Sequence, residues 1–105
     1  MEKSISVSLL QGVLTAHLFG EIDHHTVRGI RNEIDTSLFE NKPERLIIDF
    51  SGVSFMDSSG IALIIGRVEL CESIGCSIEI VGLSVGLRRL VKLSGVDRLP
   101  NVKIV

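Results

Sequence analysis

Apolar residues alternate with serines through Ile5, Val7 and Leu9, Leu10-Gln11-Gly12 offers a turn, and Val13 to Phe19 supplies a second strand-like run. The simplest reading is an opening β-hairpin. Gly20 punctuates the strand end, and Glu21-Ile22-Asp23 leads into a helix whose apolar positions are Val27, Ile30, Ile34 and Leu38. Asp23 is its expected N-cap, because a short carboxylate side chain can accept from backbone N–H groups that a helix start leaves unpaired. The stripe is narrow, which predicts a helix lying on a sheet with Arg28, Arg31, Glu33 and Asp35 in water. Asn41-Lys42-Pro43 breaks it, and the β-branched run Arg45 to Phe50 reads as a buried strand. The longest helical pattern follows, Ile61 to Ile74, with Ile61, Ile64, Ile65, Val68 and Cys71 on one stripe and Gly75 placed to end it. Ser77 to Val81 alternates as a strand, and Gly82-Leu83-Ser84 turns into a third helix, Val85 to Ser94. Ser84 caps that helix, Gly95 stops it, and Val102 to Val105 adds a short edge strand.

The resulting order is β-β-α-β-α-β-α followed by a short β, an α/β class. Strand-helix-strand units imply parallel pairing and the hairpin an antiparallel edge, so a mixed sheet of four to five strands with helices packed on it is expected. No internal repeat or long linker divides residues 1–105, which are read as one domain.

Composition narrows the possibilities. With 105 residues and 45% hydrophobic content the chain can bury a core of its own. A formal net charge of -2 and the absence of Trp and Tyr argue against nucleic acid, which calls for a basic footprint and often aromatic stacking platforms. The start, Met1-Glu2-Lys3-Ser4, leads into alternation without a continuous apolar core, so no secretory signal is expected. The longest apolar run, Ile61 to Ile65, is far short of the ~20 residues of a membrane span. Cys71 and Cys76 lack a C-x-x-C spacing and read as small hydrophobes, which together with the rest fits a reducing cytoplasm.

Among the chemical signals, Phe55-Met56-Asp57-Ser58-Ser59-Gly60 stands out, because it forms the corner between a buried strand and the longest helix. Asp57, Ser58 and Ser59 are all good capping residues, and the free N–H groups of such a corner attract anions. A serine hydrolase is disfavoured: Met56 occupies the first glycine position of the G-x-S-x-G elbow around Ser58, and His17, His24 and His25 all precede the serine. His24 and His25 are adjacent and on a helix would point about 100° apart, so no metal is expected there. No P-loop or G-x-G-x-x-G is present, and no cofactor is expected. Arg88, Arg89 and Lys92 read as a solvated face. The second helix carries Leu63, Gly66, Arg67 and Leu70 opposite its main stripe, so a neighbouring helix or a partner protein should cover that second side. Gly66 there suggests close approach of another backbone.

Taken together, Gly20-Glu21-Ile22-Asp23-His24-His25-Thr26, Ser54-Phe55-Met56-Asp57-Ser58-Ser59-Gly60, Ile65-Gly66-Arg67 and Leu93-Ser94-Gly95 closely resemble the anti-sigma F factor antagonists of sporulating bacteria, within the STAS domain family. The resemblance implies a cytoplasmic switch protein without catalysis of its own, built on a mixed sheet flanked by helices. It implies that Ser58 is phosphorylated by an anti-sigma factor that is also an ATP-dependent serine kinase. It further implies that the unphosphorylated form binds this kinase and frees the sigma factor, and that a serine phosphatase resets the switch. Glu21, Asp23, His24, Asp57, Ser59, Gly60, Leu63 and Arg67 are the expected partner-binding residues, with no nucleic acid or membrane involved. A STAS antagonist or scaffold of a general stress-response pathway is the alternative. Many relatives continue into a further helix after the position of Val105, where this sequence stops.

Overall fold

A computed structural model describes residues 4–105. Strand β1 (Ile5–Leu10) and strand β2 (Val13–Ile22) form the expected hairpin, turning at Gln11 and Gly12, both at positive φ. Helix α1 (Val27–Asn41), strand β3 (Arg45–Met56), helix α2 (Ser58–Ile74), strand β4 (Ser77–Val81), helix α3 (Val85–Ser94), a 3-10 turn (Val96–Arg98) and strand β5 (Val102–Ile104) follow. The sheet order is β1-β2-β3-β4-β5, antiparallel for the first pair and parallel for the rest. The three crossovers all step in one direction, so right-handed connection places α1, α2 and α3 on one face of the sheet.

That geometry explains the alternation. Leu14, Ala16 and Leu18 of β2, Leu46, Ile48 and Phe50 of β3, and Ile78 and Ile80 of β4 point under the helices and are fully buried. Their neighbours Thr15, His17, Ile47, Asp49 and Glu79 face the uncovered side and are half-buried. Polar pairs line that face: His17 Nδ1 lies 3.0 Å from Asp49 Oδ2, and Arg45 Nη1 donates to Glu79 Oε2 at 2.6 Å. Burial would raise the Asp49 carboxyl, but the Ser51 N–H and the His17 ring outweigh it and hold the carboxyl below its ordinary value.

Several element boundaries differ from the sequence reading. Strand β2 does not stop at Phe19 and β3 does not stop at Phe50, because each gives the other a partner: Phe19 pairs with Gly52, Glu21 with Phe55 and Ile22 with Met56. Two register shifts accommodate the extra length, and Gly20 takes φ 75° beside one of them, where a side chain would be strained. Helix α2 starts at Ser58, not Ile61, and its buried face is Gly60, Leu63, Ile64, Arg67, Val68 and Cys71. Leu63 and Arg67 therefore belong to the inner stripe, while Ile61 and Ile65 flank it. No backbone approaches Gly66, where an added Cβ would meet open space. Gly75 ends α2 in the left-handed conformation, with the Cys76 N–H donating back to the Cys71 carbonyl at 2.8 Å. This closes the helix and brings the two buried thiols together as the apolar contact that accompanies such an end. Burial pushes the Cys71 thiol up to about 12 and raises Cys76 as well.

Candidate functional site

Two turns meet where β2 and β3 run past the rest of the sheet. The first, Asp23 to Thr26, joins β2 to α1; the second is Asp57, between β3 and α2. The Asp57 N–H donates to the Ile22 carbonyl at 3.2 Å, tying the second turn to the first through the backbone.

The first turn is organised by Asp23 and Thr26 together. Asp23 Oδ1 accepts from the His25 N–H at 2.9 Å and the Thr26 N–H at 3.1 Å. The Thr26 hydroxyl donates to the Glu21 carbonyl at 2.9 Å and accepts from the Asp23 N–H at 3.1 Å. Asp23 thus closes an Asx turn ahead of the helix and is not its N-cap; Thr26 holds that position, without a side-chain cap bond. The helix starts later than expected because these local bonds compete with helical ones. The His25 N–H bond, with Thr26 and the adjoining imidazoles adding to it, holds the Asp23 carboxyl below its ordinary value, so it carries its charge at neutral pH. His24 and His25 lie in this turn and not in the first turn of α1, both exposed, with ring centroids 3.9 Å apart. Among the described residues no three His, Cys, Asp or Glu side chains converge as metal ligands.

In the second turn Asp57 is the N-cap of α2, with extended backbone and its Oδ1 accepting from the Ser59 N–H at 2.8 Å. The Gly60 N–H donates to the Asp57 carbonyl at 3.0 Å. Asp57 and Ser59 are half-buried, while Ser58 at the first helical position is exposed. Gly60 is buried, and a methyl group there would overlap the Met56 side chain, so only glycine lets the helix start press against the end of β3.

Of the residues singled out from the sequence, Glu21 stands at the end of β2, Asp23 and His24 on the first turn, and Asp57, Ser58 and Ser59 at the start of α2; the bond from the Asp57 N–H to the Ile22 carbonyl links the two segments. Gly60, Leu63 and Arg67 do not reach the surface there. Leu63 is 3% exposed and sits in the core. Arg67 is 7% exposed and crosses to α1, its Nε 2.8 Å from Asp35 Oδ1. That contact is close but not aligned as a hydrogen bond, and Arg67 Nη1 has no partner. Burial lowers the Arg67 pKa, Asp35 opposes that shift and Arg31 adds to it. The sequence reading put Leu63 and Arg67 on the outer side because it took Ile61 and Ile65 as the centre of the stripe; a helix apolar nearly all round has no periodicity to fix its rotation.

Sequence reasoning quoted Thr26 and Phe55 within its motifs and Phe19 as a strand end but gave none of them a place in the site. Thr26, three residues beyond Asp23, is the kind of spacing that signals such a turn. Phe55 is 49% exposed and pairs with Glu21 on the side of the ribbon away from the buried Met56. Phe19, Gly20, Glu21, Asp23 and Thr26 share a shallow concavity of about 420 Å³ in which both charged residues are acidic.

A family model described as the STAS domain matches residues 4–104. An anti-sigma F factor antagonist of Paenibacillus polymyxa is 30% identical over 99 residues, spanning 94% of this chain and 85% of that protein. One of Lysinibacillus sphaericus is 37% identical over 78 residues, spanning 74% of this chain and 67% of the relative. The fold superposes on the anti-sigma factor antagonist SpoIIAA in its unphosphorylated form with a TM-score of 0.81, 30% identity, and coverage of 96% of this chain and 87% of the other. It superposes on the phosphorylated form of Bacillus SpoIIAA with a TM-score of 0.75, 30% identity, and coverage of 96% and 90%. By its matched domain and these relatives, the chain belongs to the STAS domain family, and within it to the anti-sigma factor antagonists of the SpoIIAA type.

Proposed function

We propose that this chain is the phosphorylatable member of a partner-switching circuit that regulates sporulation transcription. Its unphosphorylated form binds an anti-sigma factor that is also a serine kinase, and this releases the sigma factor. The kinase transfers the γ-phosphoryl group of ATP to Ser58 Oγ, leaving ADP and ending the interaction, and a serine phosphatase hydrolyses the phosphoserine to restore binding. The chain itself turns over no substrate. The observation that carries this reading is the exposed Ser58 on the first turn of α2, beside Asp57, whose N–H bonds the Ile22 carbonyl between Glu21 and Asp23.

The charge arithmetic supports a switch. A phosphoserine brings about -1.5 to -2 charges and three acceptor oxygens, and the helix start can hydrogen-bond them. The fold therefore tolerates the group. A partner surface shaped for a small hydroxyl instead meets added bulk and like charge beside Asp57, Glu21 and Asp23. A loss of ~5 to 150-fold in affinity is the usual scale of such coupling. In this scheme Glu21, Asp23, His24, Asp57 and Ser59 touch the partner. Gly60, Leu63 and Arg67 act at one remove, by fixing how α2 sits on β3 and α1. The likeness to relatives in both phosphorylation states supports a local change without refolding.

Mixing the protein with a cognate anti-sigma kinase and ATP, and reading intact mass, tests the proposal. Wild type gains one phosphate; Ser58→Ala binds the kinase and gains none; Ser58→Asp binds poorly. Labelling that persists on Ser58→Ala moves the site to Ser59. Indifference to this kinase combined with phosphorylation by a stress-response kinase replaces the sporulation assignment.

A further inference from the structure

The two edges of the sheet are built differently. The β5 edge has three residues with Lys103 in the middle, so it is short and charged. The β1 edge has six, Ile5-Ser6-Val7-Ser8-Leu9-Leu10, with no charge, no proline and an unbroken register against β2. Short length, lysine, proline and bulges are the usual means by which an edge avoids pairing with another strand, and β1 uses none of them. Val7, Leu9 and Leu10 are 36%, 48% and 73% exposed.

The phase of the ladder fixes which backbone groups are free. The Phe19 N–H donates to the Ser4 carbonyl at 2.7 Å, so Ser4, Ser6 and Ser8 turn their backbone groups toward β2 and Val7 and Leu9 turn theirs outward. The strand is also close to its own complement. Run antiparallel against a second copy about a two-fold axis through Ser8, Val7 of each chain faces Leu9 of the other. Their outward N–H and C=O groups then pair reciprocally, and the exposed apolar side chains meet on one face with no charged residue opposed.

We propose that β1 is a self-association edge, through which two copies join antiparallel into one continuous sheet of ten strands. A second copy fits better than an unrelated strand because about this axis the Val7–Leu9 pair forms twice, flanked by Ser6 opposite Leu10, with every position uncharged. The interface leaves Ser58 on each protomer outside the contact strand, so it is separate from the switch proposed above.

Sedimentation velocity over a concentration series tests this, alongside amide hydrogen exchange on the wild type. A concentration-dependent dimer is expected in which the Val7 and Leu9 N–H groups become protected as the dimer fills. Leu9→Lys places two like charges beside the axis and should weaken self-association by ~10-fold or more. Val7→Pro removes an outward N–H while sparing the bonds to β2 and should weaken it similarly. Circular dichroism checks that each variant folds. A wild type that stays monomeric into the millimolar range overturns the proposal. So does a dimer in which Val7 and Leu9 exchange as fast as in the monomer, or one that both folded variants retain.

Discussion

The two ends of α2 solve the same problem in opposite ways. At its C-terminal end, Gly75 turns the chain back, the Cys76 N–H caps the Cys71 carbonyl, and both thiols vanish into the core. Neither thiol remains available there. At its N-terminal end, Asp57 satisfies only part of the first turn and Ser58 is left facing solvent beside the Asp57 carboxylate. The difference shows that exposure at this corner is local. Two residues later Gly60 is already packed under Met56, so the Ser58 hydroxyl stands on a packed base.

Breaking that base gives the largest effect. Gly60→Ala forces the helix start off Met56 and should cost about 1–3 kcal/mol in urea denaturation, with reduced partner binding as α2 shifts. A cost under ~0.5 kcal/mol would mean that Met56 simply swings aside. Gly75→Ala, which meets no neighbouring atom but keeps a positive φ, should cost ~1–2 kcal/mol and leave binding untouched. Asp57→Ala removes the cap at the other end and should cost ~1 kcal/mol, while also changing binding because it lies on the surface.

Titration sharpens the same contrast. The Cys71 thiol ionises near 9.0 when unfolded and about 12 when folded. Between those values the unfolded chain has lost a proton that the folded chain keeps, so stability should fall as pH rises from 9.0 toward 12. Cys71→Val should flatten the Cys71 part of that decline in urea midpoints. The smallest effect on stability is expected at the proposed phosphorylation site. Ser58→Ala should stay within ~0.5 kcal/mol of wild type while losing phosphate acceptance altogether.

Most of the architecture was legible because its elements have clear periods or clear stops. The hairpin, the parallel units, the Ser84 cap and the Gly75 and Gly95 ends all follow from local chemistry. What escaped was non-local. The tails of β2 and β3 are strands only because they pair with each other, and Ser51-Gly52-Val53 carries no strong strand signal alone. The rotation of α2 was misjudged for the same reason: Arg67 reads as a surface residue until Asp35 on α1 is seen beside it. The Ser58 corner was visible as a motif, whereas the junction of its turn with Asp23 required the fold.

The overhang of β3 has an electrical consequence. Its pairing with β4 ends at Asp49, so the segment from there to Ser58 carries the Ser58 hydroxyl roughly 20 Å beyond the last β3–β4 pair. At physiological ionic strength, charges at exposed positions are screened over about 8 Å. A charge gained or lost at Ser58 is therefore faint at the Arg45–Glu79 pair near the other end of the strand. Charges at the foot of the sheet can therefore change with little effect on the electrostatics at the Ser58 tip.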